Sequence, residues 1–140
     1  MSSHLIFYID DNSDDLSMFL YVAKSLAINV RLFSSGEHLL IHARQCNEIP
    51  DAILVDLHMP KISGFDIIGS LHHNTMLKSA PIIAFSTNAE SSAIHKAKAA
   101  GATCYMKKPR TVTGLRQNLS LLISTDWKKH DCNRNFLIGK

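Results

Sequence analysis

Long apolar runs are missing from this 140-residue chain. The longest, such as Leu5 to Ile9 and Ala52 to Val55, fall far short of the roughly 20 residues that cross a bilayer, so no membrane span is expected. No basic stretch followed by an apolar one opens the sequence, which excludes a recognisable signal peptide and makes a cytoplasmic location the expectation. Cysteine is sparse: Cys46, Cys104 and Cys132 stand far apart without a C-x-x-C pair, which argues against a disulfide framework or a zinc knuckle. Cys104 lies in an apolar context and reads as a small core residue. The glycines form no phosphate-cradling loop, since neither G-x-G-x-x-G nor G-K-S/T occurs. The net charge is only +3 and the lysines are scattered, so there is no nucleic-acid footprint.

What is present is an ordinary globular composition, 46% hydrophobic and 19% charged, in a length that suits one domain with no room for an appended module. Charge is uneven along the chain: up to residue 60 there are eight acids against three bases. Short apolar runs alternate with helical periodicity. Strands are expected at Leu5 to Ile9, Val30 to Phe33, Ala52 to Asp56, Ile82 to Ser86 and Thr103 to Met106. Helices follow each: the first two are capped by Asn12 or Ser13 and by Ser34 or Ser35, Gly64 opens the third, Ser91 or Ser92 begins the fourth, and the last comes after Pro109. Gly101 is expected to stop the fourth helix. Five β-α units in this order predict an α/β domain over residues 4–124, with a doubly wound parallel sheet. A polar tail over 125–140 carries an apolar patch, Phe136-Leu137-Ile138, which either frays or docks.

In such sheets, sites form at the carboxyl ends of strands. Asp10 and Asp11 follow the first strand and Asp56 ends the third. Three converging carboxylates repel each other, and a hard cation such as Mg²⁺ relieves that repulsion. The acidic pair could equally cap a helix. Ser86 at the end of the fourth strand and Lys108 after the fifth shift the balance: a hydroxyl and an ammonium on the same rim, beside a cation, make a phosphoryl-binding set.

Taken together, Asp10-Asp11, the segment Asp56-Leu57-His58-Met59-Pro60 with Gly64 beyond, Ser86 and Lys108-Pro109 resemble the receiver domain of two-component response regulators. The intervals agree as well: 45 residues from Asp11 to Asp56, 30 to Ser86 and 22 to Lys108. The resemblance implies a flavodoxin-like fold with strand order 2-1-3-4-5. It implies that Asp56 accepts a phosphoryl group from a sensor histidine kinase or a histidine phosphotransfer protein. Mg²⁺, with Mn²⁺ as an alternative, would be held by Asp10, Asp11, Asp56 and the backbone carbonyl of His58. Lys108 would contact the phosphate and pair with a carboxylate in the empty site, and its bond to Pro109 would be cis. Ser86 would move toward the phosphate and Tyr105 would turn inward with it.

The resemblance further implies output through the fourth helix, fifth strand and fifth helix. That face would serve a downstream protein target or a homodimer, with no nucleic acid or membrane involved. Such a stand-alone receiver would be no enzyme beyond its own phosphorylation and autodephosphorylation. His58, Thr87 and Asn88 are the positions expected to tune the phosphoryl lifetime, and His58, Thr87 and Arg110 depart from the commonest family residues. Two other readings are a phosphorylation-independent interaction module and a Mg²⁺-dependent aspartate phosphohydrolase. The latter wants a second aspartate two residues after the nucleophile, where this chain has His58. His38, His42 and Cys46 share a helix face, but the outer two lie about 12 Å apart along the axis and cannot meet one ion. His72-His73 has no ligating neighbour in sequence.

Overall fold

The computed structural model describes residues 3–45, 47–74, 77 and 79–139; Cys46 lies outside them. The elements run β1 (His4–Ile9), α1 (Ser13–Ser25), β2 (Ile28–Phe33), α2 (Gly36–Gln45), β3 (Ala52–Asp56), α3 (Gly64–His72), β4 (Ile82–Ser86), α4 (Ser91–Ala100), β5 (Cys104–Lys107), α5 (Val112–Ser124) and β6 (Leu137–Ile138). All strand pairs are parallel, in the order β2-β1-β3-β4-β5-β6. The five-stranded flavodoxin-like core is the expected one, and a short sixth strand from the tail extends it.

Strand alternation decides the two cores. Phe7, Ile9, Ile53, Val55 and Tyr105 face the layer containing α2, α3 and α4. Ile6, Tyr8, Leu54, Phe85 and Met106 face the layer containing α1 and α5. Burial on both faces explains why β3 and β4 are apolar on consecutive positions rather than alternating. Leu115, Leu119 and Leu122 recur at helical spacing and all point into the second core.

The helix ends follow local side-chain chemistry. Asn12 caps α1 by accepting a hydrogen bond from the Asp15 amide, Ser63 caps α3 through Asp66 and Thr111 caps α5 through Gly114. The fourth helix begins at Ser91, as expected, and its N-cap residue is Glu90, with no side-chain cap bond. Gly101 ends α4 at φ +112°, where a Cβ would also strike the His72 ring. Among the described residues no helix is long and apolar enough to cross a membrane.

Candidate functional site

The carboxyl ends of β1, β3, β4 and β5 converge on one rim. Gly64 fixes the position of Asp56 from below. Its amide donates to the Leu57 carbonyl at 3.2 Å, and a Cβ there would lie 2.1 Å from the Asp56 carbonyl oxygen. Only glycine allows α3 to start this close to the β3 terminus. Asp10 and Asp56 are buried, Asp11 is exposed, and one carboxylate oxygen from each of the three lies within 4.8 Å of the others.

Lys108 is the only cation paired with these acids among the described residues. Its Nζ donates to Asp10 Oδ2 at 2.6 Å and to Asp15 Oδ2 at 3.1 Å, and stands 3.6 Å from Asp56 Oδ1. The Lys108–Pro109 bond is trans, since the described chain has no cis peptide, which corrects the expected cis geometry. Trans is the lower-energy isomer of an X–Pro bond, and the lysine reaches its carboxylates without the other one.

Electrostatics separate the two buried acids. Burial pushes Asp10 up, but hydrogen bonds from Lys108, Tyr8 and the Asn12 amide more than offset it, and the carboxyl titrates below its usual range. Asp56 is pushed up to about 7, mainly by burial and further by the Asp10 charge, against opposition from Lys108 and the His58 amide. Lys108 is held above its ordinary value: its carboxylate partners outweigh burial, which acts the other way. A carboxylate this reluctant to ionise beside a second one is a site short of positive charge. That donor set, all oxygen and all hard, fits Mg²⁺.

A second set adjoins the first. Ser86 is fully buried and its Oγ accepts from the Asn88 amide at 3.1 Å. The Tyr105 hydroxyl donates to the Asn88 carbonyl oxygen, and the ring is fully buried. Burial raises the Tyr105 pKa, with the Ser86 hydroxyl acting against it. His58 and Thr87 are exposed; the His58 amide lies 3.4 Å from Asp56 Oδ1. Thr87 lines a cavity of about 380 Å³ together with Tyr8, Asp15, Phe85, Lys108 and Arg110.

Two residues of the site escaped the sequence reading. Asp15 is the second carboxylate under Lys108, and Tyr8 is a buried phenol whose hydroxyl donates to Asp10 Oδ2. A signal for Tyr8 existed: it sits two residues before Asp10, on the same strand face, and a buried tyrosine needs a partner for its hydroxyl. His42, His72 and His73 lie outside this site. His42 packs against Phe7 and Phe33 with ring centroids 5.3 Å apart, and His72 meets His73 edge-on.

Residues 6–120 match the family model of the response regulator receiver domain. The chain belongs to that family. It is 30% identical over 108 residues to the sensor histidine kinase CheAY of Helicobacter pylori, a match covering 77% of this chain and 13% of the kinase. It is 25% identical over 107 residues to the polar-differentiation response regulator DivK of Brucella ovis, covering 76% of this chain and 85% of DivK. Among solved structures, the chemotaxis response regulator CheY4 of Vibrio cholerae superposes with a TM-score of 0.77 at 22% identity, covering 86% of this chain and 99% of that one. The receiver domain of a Pseudomonas aeruginosa sensor histidine kinase, solved with magnesium in its active-site cleft, superposes with a TM-score of 0.75 at 24% identity, covering 89% and 100%.

Proposed function

We propose that this receiver domain takes a phosphoryl group onto Asp56 from a phosphohistidine of a sensor kinase or phosphotransfer protein, and that the modified site switches protein contacts. The observation that carries the reading is Lys108 Nζ, bound to Asp10 and Asp15 yet 3.6 Å from Asp56, with the Ser86 hydroxyl on the same rim. An Asp56 carboxylate oxygen attacks phosphorus, the P–N bond of the donor imidazole breaks, and the departing nitrogen takes up a proton. Three phosphoryl oxygens then need donors. Lys108 turns from Asp10 toward one of them, and the Ser86 hydroxyl donates to another while its lone pairs continue to accept from Asn88.

Asp10, Asp11 and Asp56, with the His58 carbonyl, are the groups that would hold Mg²⁺ in this site. When bound, Mg²⁺ supplies the charge neutralisation that lets a carboxylate approach an anionic phosphoryl group. Hydrolysis of the acyl phosphate returns the site to its start. The chain acts on itself and is a signalling module rather than an enzyme with turnover on free substrates. His58 and Thr87, exposed at the mouth, stand where water or a phosphatase reaches the phosphoryl group, with Asn88 just inside.

Intact mass after incubation with acetyl phosphate and Mg²⁺ tests this, with Asp56→Ala alongside. One added phosphoryl group, absent from the variant and without Mg²⁺, is the expected result. Turnover of simple phosphate esters would instead favour a hydrolase, and partner binding indifferent to Asp56 would favour an interaction module.

A further inference from the structure

The tail after α5 is seated along the outer edge of β5 and, at both ends, against α5. Trp127 Nε1 donates to the Leu122 carbonyl at the root of the tail. His130 Nε2 lies 3.1 Å from Cys104 Sγ and 2.9 Å from the Asn135 carbonyl oxygen. Phe136 accepts a 2.7 Å hydrogen bond from the Tyr105 amide through its carbonyl. Its ring is 7% exposed, joins the core cluster that contains Tyr105 and Ala97, and lies 5.6 Å beneath Lys98 Nζ. Beyond it, Leu137 and Ile138 pair in parallel register with Tyr105 and Met106. Gly139 then turns at φ +81° against buried Asn118 of α5, in a space that a Cβ would overfill, at 2.9 Å from Asn118 Oδ1.

These contacts meet the Asp56 rim at a single residue. Tyr105 gives its amide to the tail and its hydroxyl to Asn88, and Asn88 gives its own amide to Ser86. With Phe136 covering the strand edge, the Tyr105 ring has no solvent to turn into; it is fully buried, hydroxyl inward. The tail and the inward ring are therefore parts of one packed arrangement, which has discrete alternatives rather than a continuum.

We propose that the outer edge of β5, between α4 and α5, is a strand-docking surface whose ligand is the chain's own segment Phe136 to Ile138, and that docking there and phosphorylation of Asp56 reinforce each other through Tyr105. The chemistry recognised is an extended segment with an aromatic residue under a lysine, followed by two aliphatic residues in parallel register, which is β-strand addition within one chain. The docked tail also pairs an edge that would otherwise offer unpaired amides and carbonyls to other chains. The coupling, though not the docking, rests on the function proposed above. Coupling is reciprocal: whatever factor the tail adds to phosphoryl binding, phosphoryl binding adds to the tail.

The test uses the full chain and beryllofluoride with Mg²⁺ as an equilibrium mimic of the phosphoryl group. In wild type, hydrogen exchange at the Tyr105 amide, whose acceptor is Phe136, is expected to slow at least about threefold when the mimic binds. Phe136→Ala is expected to bind the mimic at least about threefold more weakly, by the same linkage. A wild type that binds the mimic with exchange at Tyr105 unchanged or faster would overturn the coupling. So would a folded Phe136→Ala with unaltered affinity. If wild type does not bind the mimic at all, the function proposed for Asp56 falls, and the coupling with it. A synthetic peptide of residues 133–139 should bind Phe136→Ala more tightly than wild type, whose own tail competes. Equal binding to both would overturn the docking surface itself.

Discussion

Lys108 holds Asp10, at 2.6 Å, more closely than it holds Asp56, at 3.6 Å. The lysine is thus parked on Asp10, one ångström short of the carboxylate proposed as the nucleophile. Removing it leaves two buried carboxylates facing each other without a cation. Lys108→Ala is expected to lose about 1–3 kcal/mol of stability at pH 8. The loss should shrink as acid neutralises Asp56 and when Mg²⁺ is added, which thermal melts across pH and metal concentration would show.

The raised pKa of Asp56, about 7, fixes the sign of a second pH effect. An acid whose folded pKa lies above its unfolded value of about 3.9 costs stability as pH climbs between the two, and the cost is complete above the folded value. Asp56→Asn removes the charge and keeps the shape. Without metal it should be more stable than wild type by about 1–2 kcal/mol at pH 8, with the gain fading as pH falls from 7 toward 4. Denaturant titrations at several pH values would show a gain of the wrong sign at once.

Tyr8 offers a hydroxyl to Asp10 from inside the core, tilted against Phe19 at 4.3 Å and edge-on to Phe85 at 5.5 Å. Tyr8→Phe keeps the ring contacts and deletes one donor to a charged acceptor, a change of about 1–2 kcal/mol. It should also raise the Asp10 pKa, because one of the bonds that holds it low is gone. NMR titration of the carboxyl carbon would read this directly.

Gly64 presses on the backbone of Asp56. Gly64→Ala must displace either α3 or the Asp56 carbonyl, so both stability, by about 2 kcal/mol or more, and the rate of Asp56 phosphorylation should fall. A variant with normal stability and normal rate would mean that the β3–α3 junction is looser than the structure has it.

Much of this site was legible because strand ends are legible. Asp10, Asp56 and Ser86 each close or follow an apolar run, and a parallel sheet carries such residues to one rim. Tyr8 and Asp15 were hidden for opposite reasons. Tyr8 sits within an apolar run and reads as core filler, while Asp15 sits in a first helical turn and reads as a charge complementing the helix dipole. The Lys108–Pro109 isomer depends on a preference of only about 0.5–1 kcal/mol, which tertiary contacts decide. The tail is the sharpest case. Phe136 to Ile138 is too short to register as a strand by itself, and its place depends on the unpaired β5 edge, on Lys98 above the Phe136 ring and on Asn118 below Gly139. None of these neighbours is near in sequence.

The most direct test of the account is where the phosphoryl group sits. Protein exposed to acetyl phosphate and Mg²⁺ would be reduced with borohydride, which converts an aspartyl phosphate to homoserine, and its peptides sequenced by mass spectrometry. The account predicts homoserine at position 56 and nowhere else, with none when Mg²⁺ is withheld. Homoserine at Asp10 or Asp11, or phosphate retained on a serine or histidine with position 56 untouched, would contradict it.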